Sequence, residues 1–441
     1  MPNTRHTKEL GRESAPRALS HMRVSLALLV TLASALSVAA AQKKKAEPSK
    51  ASAKPAAKSA TPAQRSRASS QESGAAPARA SVPIETLLQI IEAEDERRWD
   101  STEFGKFLGD ANPAVRRRAA LAAGRIGDEG AVAPLGSLLY GDRDERVRVT
   151  AAFALGEIEA ESASAALQDA LARSKSPEVR ARAIEALGKI AAALPDSRSD
   201  AKKRIGEAIV GALTAQSRQP KPDRLLVLLG LTAILRAKPD GGAHAAALFL
   251  TSKDARVRGD AGNTLARLRA KESLERLRAM LSTDTDAVAR ANAARALGTA
   301  EDKAAYDALV ARMSEDTDSR VRVSAVRALA SLKDARAGQP LRERAEVLHA
   351  DYRLERSGAV NPRVPSAVNE LLEIFTALGT VLANTNDERA IELLRAYRSE
   401  GFVAPQLETA LARISPAQYM RDPAVSDLFR RVPGDASVTW Q

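Results

Sequence analysis

Six arginines recur at regular positions through the central part of the chain, and their guanidinium groups are the most regular chemistry that the sequence carries. Within each half of this region, successive arginines lie 32 residues apart. A guanidinium group binds a carboxylate or a phosphate through two parallel hydrogen bonds, so such a column suits either an acidic ligand or acidic residues of the same fold. Both interpretations are open from the arginines alone. The six positions are Arg116, Arg148, Arg180, Arg258, Arg290 and Arg322.

Four of these arginines are each preceded by an aspartate, four residues earlier in the sequence. Three of these aspartates belong to Asp-x-Asp segments, which raises the possibility of calcium binding. A twelve-residue calcium loop requires a bidentate glutamate at position 12, and no acid stands there: Phe153, Arg295 and Arg327. We interpret the acids as turn and helix-capping residues. They are Asp144, Asp254, Asp286 and Asp318.

Residues suited to catalysis are sparse. The chain has no cysteine, which excludes thiol catalysis and cysteine–zinc sites. Its four histidines, His6, His21, His244 and His349, are far apart and none precedes a glutamate. No phosphate-binding loop, dinucleotide fingerprint or nucleophile elbow is found. The sequence therefore predicts no catalytic, cofactor-binding or metal site.

The arginines lie in a string of residues that is repeated along the chain. Residues 147–158 read V-R-V-T-A-A-F-A-L-G-E-I, and similar strings begin at residues 115, 179, 257, 289 and 321. A degenerate copy begins near Leu225, 32 residues before the string at 257. Repeats of this length are typical of solenoids, in which each unit buries its apolar face only against its neighbours.

Each repeat predicts two helices. Apolar residues fall at offsets 0, 4, 8 and 11 of the string, as in Val147, Ala151, Leu155 and Ile158, which is one face of a helix. A second helix follows, with leucines at offsets 20 and 24. Offset 4 is always alanine, which predicts a close helix crossing. Capping residues precede the strings by three positions: Asn112, Asp144, Ser176, Asp254, Asp286 and Asp318.

The net charge of +12 is concentrated near the N-terminus. Residues 1–82 hold 14 Lys and Arg against 4 Asp and Glu, which leaves 53 basic and 51 acidic residues, or +2, for the rest of the chain. The repeats are therefore almost neutral, and no nucleic-acid partner is predicted for them. Aromatic residues are only 3%, so the core must consist of Ala, Leu, Val and Ile.

The N-terminal region predicts export. Residues 1–41 are assigned as a signal peptide whose true start is Met22, because a short positive start, an apolar run and small residues lead to cleavage before Gln42. An uncleaved N-terminal membrane anchor is the alternative; after cleavage no specific membrane insertion is expected. Residues 42–82, rich in Ala, Lys, Pro and Ser, predict a disordered basic linker that is able to touch anionic envelope surfaces.

The D-x-x-V-R-x-x-A-x-x-A-L-G pattern resembles HEAT repeats, specifically the short type called phycobilisome-lyase-like. The resemblance covers residues 110–350 well and implies an all-α fold over residues 83–441, a right-handed α-solenoid of about 32-residue helix pairs. It also implies that the arginine column bridges to the capping aspartates of adjacent repeats. Two segments break the phase, near 195–208 and 351–366, and are predicted to be inserted loops.

Two enzyme families with HEAT-like architecture also resemble this chain. Deoxyhypusine hydroxylases carry repeated His-Glu pairs that hold iron, and this sequence has none. Phycobilin lyases remain an alternative, although no His or Cys cluster suggests a bilin site. We predict a non-catalytic scaffold or adaptor of the cell envelope that binds a protein partner, of unknown identity, on the concave face of the solenoid. A structural spacer in an envelope complex is the other interpretation.

The export prediction is checked by N-terminal sequencing of the mature protein. We expect the sequence to begin at or near Gln42, because Ala39 and Ala41 supply the small residues that signal peptidase requires. An intact N-terminus at Met1 or Met22 on a cytoplasmic protein would contradict the prediction.

Overall fold

In the computed structural model, the described residues are 81–358, 366–423 and 425. They form twenty α-helices and contain no β-strand. The helices alternate between first and second members of ten pairs, joined in several repeats by a short 3-10 turn. This is the all-α solenoid that the repeats predict.

The odd-numbered helices are the first members of the pairs. They are α1 (Ile84–Asp95), α3 (Pro113–Ile126), α5 (Glu145–Ile158), α7 (Pro177–Ala193), α9 (Arg224–Ala237), α11 (Ala255–Leu268), α13 (Ala287–Thr299), α15 (Ser319–Leu332), α17 (Ala367–Val381) and α19 (Pro405–Ile414).

The even-numbered helices are the second members. They are α2 (Ser101–Leu108), α4 (Val132–Gly141), α6 (Ser164–Arg173), α8 (Ser199–Ser217), α10 (Gly242–Ala247), α12 (Leu274–Thr283), α14 (Tyr306–Glu315), α16 (Gly338–Arg356), α18 (Glu388–Ser399) and α20 (Pro416–Arg421).

Side-chain caps begin the first helices, as the sequence predicts. Asp144 accepts a hydrogen bond from the amide of Arg146 at 2.7 Å, and Ser176 accepts one from the amide of Val179 at 3.2 Å. Such caps satisfy amide groups that have no partner inside the helix. The same contact is made by Asn112, Asp254, Asp286 and Asp318.

The core lies between the first and second helices and is continuous from repeat to repeat. The offset-4 alanines are completely buried, and the paired leucines of the second helices are buried against them. Because these residues recur in every regular unit, each repeat buries its apolar face against both neighbours. The fully buried alanines are Ala119, Ala151, Ala183, Ala261, Ala293 and Ala325.

Several consecutive first helices meet at a glycine. A Cβ placed on Gly298 would lie 2.7 Å from the Cα atom of Ala328 in the next first helix, closer than real carbon atoms approach. The same contact joins Gly124 to the backbone of Ala154 at 2.7 Å. Glycine is therefore required at this position by the backbone of the neighbouring repeat rather than by its own dihedral angles.

The first predicted loop is mostly helical, the second is helical only in its first six residues, and residues 359–365 of the second lie outside the described residues. Within the segment 195–208, residues from 199 onward belong to α8, whose buried Ala201, Ile205, Ile209 and Leu213 lie four residues apart. Within 351–366, residues 351–356 complete α16. The additional residues lengthen two second helices to 19 residues each, because the helical apolar spacing continues through them.

The signal peptide predicted for residues 1–41 and the linker predicted for 42–82 lie outside the described residues, except for residues 81 and 82. Among the residues that the structure describes, no helix combines the length and apolar composition that a membrane span requires.

A pair of glycine substitutions tests the close helix contact. Gly298→Ala should destabilise the fold by about 1–3 kcal/mol, because its methyl group overlaps the backbone of the next repeat. Gly211→Ala, in α8, should stabilise it by about 0.5–1 kcal/mol, because nothing lies within 4 Å and alanine favours the helix. Denaturant unfolding followed by circular dichroism measures both. A stability gain for both variants would contradict the close contact.

Candidate functional site

The regular arginines form bidentate ion pairs between adjacent repeats. Arg116 donates from Nε to Oδ2 of Asp142 at 2.7 Å and from Nη2 to Oδ1 at 2.8 Å. Its remaining nitrogen, Nη1, donates to the main-chain carbonyl of Asp110 in its own repeat at 2.7 Å. One guanidinium group therefore joins the start of its own first helix to the carboxylate that follows the second helix.

Two later pairs repeat this geometry. Arg258 binds Asp284 through two hydrogen bonds of 2.7 Å, and Arg290 binds Asp316 at 2.7 and 2.8 Å. The aspartate side chains are almost completely buried, with 5% and 1% of their surface exposed. Three ion pairs, Arg116–Asp142, Arg258–Asp284 and Arg290–Asp316, thus have the same geometry. We refer to them as the regular rungs of the arginine ladder.

The partner acid is not the capping aspartate, so that detail of the sequence prediction is wrong. In each regular rung the acid lies two residues before the cap, as Asp142 lies before Asp144. Its Oδ1 also accepts the amide hydrogen of the cap residue, at 2.8 Å in this repeat. The cap carboxylate is meanwhile used by the amides of its own helix.

The aspartates of the regular rungs are held in the ionised form. Burial raises the pKa of Asp316, but the hydrogen bond from Arg290, the amide of Asp318 and the charges of Arg290 and Arg312 together outweigh it, so this pKa lies below its usual range. The same opposing causes lower the pKa of Asp142 and of Asp284. Carboxylates that are so firmly ionised are poor proton donors at neutral pH.

The last arginine of the column has a different partner. Arg322 binds Glu370 of α17, with Nη2 and Nε at 2.8 and 3.0 Å from Oε2. Arg344 of α16 also donates to Glu370, at 2.7 Å. Glu370 follows Arg322 by 48 residues in the sequence, because the long helix α16 lies between them. This ion pair was not predicted.

Three consecutive rungs in the middle of the solenoid lack this pairing. Serine replaces the acid opposite Arg148, at Ser174. The nitrogen Nη2 of Arg180 approaches the capping carboxylate of Asp223 only to 3.9 Å. In the next unit no arginine follows the cap at the corresponding position, where Leu226 and Val227 stand, and the acid position is taken by a second serine, Ser252.

Arg148 is the arginine of the column for which no carboxylate partner is found among the described residues. Its Nη1 donates to the main-chain carbonyls of Asp142 and Arg143 at 2.5 and 3.4 Å, as in the regular rungs. Its side chain then lines a cleft of about 590 Å³ between α4 and α6. We refer to this space as the Arg148 cleft.

The Arg148 cleft combines cations with an exposed aromatic side chain. Arg173, Ser174 and Lys175 line it beside Arg148, and Tyr140 at its rim is 85% exposed. None of these neighbours was predicted to be a site residue. The signal was nevertheless present, because the acid position ahead of each cap reads Asp at 142, 284 and 316 but Ser at 174 and 252.

The side chains of two other polar clusters contact residues of the fold itself or lie among charges of both signs. His349 bonds Glu400 at 2.8 Å and lies 4.5 Å from the ring of Tyr397, which packs in the C-terminal core. A second cleft, of about 430 Å³, separates α16 from α18 and has side chains of both charges. In the described part of the chain, no group of three or more His, Cys, Asp or Glu residues is placed to hold a metal ion.

Comparison with known proteins identifies the repeats. A family model described as HEAT repeats matches residues 102–188, 132–218 and 275–359. No curated protein sequence matches the chain. The matched ranges include every arginine of the column except Arg258, which lies in a unit of the same pattern.

The fold is similar to that of importin β, which is 15% identical, with a TM-score of 0.54, over 77% of this chain and 48% of that one. An engineered protein is 22% identical over 78% of this chain and 92% of its own, with a TM-score of 0.45. The CpcE–CpcF complex of phycocyanin lyase from Nostoc sp. PCC7120 is 16% identical over 72% and 94%, with a TM-score of 0.32.

Two arginine substitutions distinguish a regular rung from an interrupted one. Arg290→Ala should destabilise the fold by about 3 kcal/mol, because it leaves the buried carboxylate of Asp316 with only the amide of Asp318 and the more distant Arg312, at 3.6 Å. Arg148→Ala should lower the free energy of unfolding by only about 1 kcal/mol, since it removes hydrogen bonds to main-chain carbonyls and leaves no carboxylate without a partner. Guanidinium unfolding of both variants checks this difference. Equal losses would mean that the ion pair contributes nothing beyond the main-chain contacts.

Proposed function

We propose that this chain, whose repeats match the HEAT-repeat family model, acts as a scaffold that binds another protein and catalyses no reaction. HEAT-type solenoids present a long surface built from successive helices, and such surfaces serve as binding platforms. The observation that carries the proposal is the Arg148 cleft with Tyr140 at its rim. Tyrosine and arginine are the residues most often found at the energetic centre of protein interfaces.

The architecture supports this use of the second helices. The first helices are largely buried against neighbouring repeats, since their columns of glycine and alanine lie directly against the next repeat. Second helices contact each other less closely, and their outward side chains remain available between repeats. The surface of α4 and α6 is therefore both fixed in position by the first helices and open to a partner.

Charge and acid chemistry favour binding over catalysis. The repeats are almost neutral, so attraction to nucleic acid would have to come from the basic segment 1–82. The buried aspartates of the regular rungs are already paired with arginine and ionised. We propose on these grounds a protein partner and no enzymatic role.

We also propose that the protein is exported and acts in the cell envelope. This proposal rests on the sequence of residues 22–41 and on the basic composition of residues 42–82. The linker would allow the solenoid to reach partners at some distance from an anionic surface, without itself contributing specificity.

Capture from an envelope extract with the immobilised chain, followed by mass spectrometry, identifies the partner. The purified partner is then measured by calorimetry against three forms of the protein. Deletion of residues 42–82 should leave the dissociation constant unchanged, since the proposed contacts lie on the solenoid. Tyr140→Ala should weaken binding by about tenfold or more, because it removes an exposed aromatic anchor.

The matched control is Val403→Ala, which truncates an apolar side chain that is 95% exposed but lies outside the second helices. It should not change the affinity. A partner that binds only through residues 42–82, or that is equally insensitive to both substitutions, would contradict the proposal. Chemical turnover of the captured molecule would instead favour the lyase-type alternative.

A further inference from the structure

The regular rungs show what Arg148 is built to bind. In each of them, the same two edge nitrogens of the guanidinium, Nε and Nη2, meet a carboxylate within 2.7–2.8 Å. Arg148 keeps the third contact of the set, from Nη1 to the carbonyl of Asp142, so its guanidinium is anchored in the same way. Its carboxylate-binding edge is thus preorganised, while the acid that would meet it is replaced by Ser174.

The charges around this edge are those of an anion site. Arg173 and Lys175 line the cleft beside Arg148, and the one acidic residue lining it, Asp169, pairs with Arg173 at 3.1 Å. Two further carboxylates near the cleft have partners of their own: Asp142 is paired with Arg116, and Glu145, which keeps its charge, accepts a hydrogen bond from the hydroxyl of Ser176. An incoming carboxylate therefore meets the two cations Arg148 and Lys175, which have no carboxylate partner among the described residues, with Arg173 already paired to Asp169.

We propose that the Arg148 cleft binds a carboxylate side chain of a protein partner, which takes the place of the missing aspartate. This inference rests on the proposed scaffold function and specifies the chemistry of its contact. The partner's Asp or Glu completes the ladder in trans: its two oxygens accept from Nε and Nη2 of Arg148. Binding thus uses the same bidentate arginine–carboxylate contact that joins repeats in the regular rungs.

The dimensions of the cleft favour a peptide over a small anion. Its volume of about 590 Å³ is much larger than one carboxylate or phosphate needs, and Leu139, Ala170 and Val179 add apolar lining. Tyr140 extends this apolar surface at the rim. A side chain with its flanking main chain uses both the cations and the apolar wall, whereas free phosphate uses only the cations.

Restoring the acid tests the proposal without removing any residue of the cleft's cationic set. Ser174→Asp places a carboxylate where Asp142 stands in the regular rung, so it should pair with Arg148 and close the site. Ser252→Asp is the matched control, because that serine occupies the same position in its repeat, whereas the unit before it has Leu226 and Val227 at the corresponding position after its cap and no arginine there. We expect a higher melting temperature for Ser174→Asp and little change for Ser252→Asp.

Binding is measured by fluorescence polarisation with the full chain and capped pentapeptide pools, whose central residue is Asp, Glu, Asn, Gln or phosphoserine and whose other positions are random. The Asp and Glu pools should bind at least fivefold more tightly than the Asn and Gln pools. Ser174→Asp and Arg148→Gln should remove this preference, and Ser252→Asp should retain it.

Three outcomes would overturn the proposal: no preference for the acidic pools, an equal loss in both serine variants, or a phosphoserine pool and inorganic phosphate that bind more tightly than the carboxylate pools. Failure of the scaffold function is separate from these. If the captured partner binds Ser174→Asp as tightly as the unsubstituted chain, the scaffold stands and the cleft proposal fails. If acidic pools bind through Arg148 but no partner is captured, the cleft stands and the scaffold proposal fails.

Discussion

The contact on which this molecule depends is the approach of one first helix to the next at a glycine. At Gly124, Gly156 and Gly298 the neighbouring repeat's alanine lies so close that even a methyl group has no room. Because the spacing is fixed at these junctions, the side chains between the repeats fall into equivalent positions. Two of the three regular rungs, those of Arg116 and Arg290, lie at such a junction, and Ala266 replaces the glycine at the third.

The buried ion pairs specify how repeats join. Each aspartate of a regular rung receives an arginine from the preceding repeat and the amide of its own cap, as Asp284 does from Arg258 and from Asp286. Burial of these charges costs energy that the pairing must offset, so the pairs are better understood as fixing register than as a large net source of stability. An arginine left without its acid is then an available binding group in a rigid position.

Much of the fold could be predicted from the sequence, because the fold is periodic. The 32-residue spacing predicted the helix pairs, the capping residues and the column of buried alanines to which Ala151 belongs. The helical nature of 199–208 was missed because polar Asp, Ser and Arg residues at its start hide the spacing of Ile205, Ile209 and Leu213. The partner of each arginine was misassigned because two aspartates stand two residues apart, and only the direction of the side chains separates the cap from the ion-pair acid.

The interrupted rungs also explain why a partner would act in the middle of the solenoid. The regular arginine–aspartate pair is missing at three successive junctions, and at the second of them the Nε of Arg180 and Oδ2 of Asp223 are buried without hydrogen bonds. Unsatisfied buried groups of this kind cost about 1–3 kcal/mol each. At the third junction a different ion pair, between Arg224 and Asp254 at 2.6 Å, joins the repeats, whereas Arg148 at the first has no carboxylate partner among the described residues. In a solenoid, where stability is a sum over neighbouring interfaces, a partner that supplies a carboxylate to Arg148 would strengthen that interface.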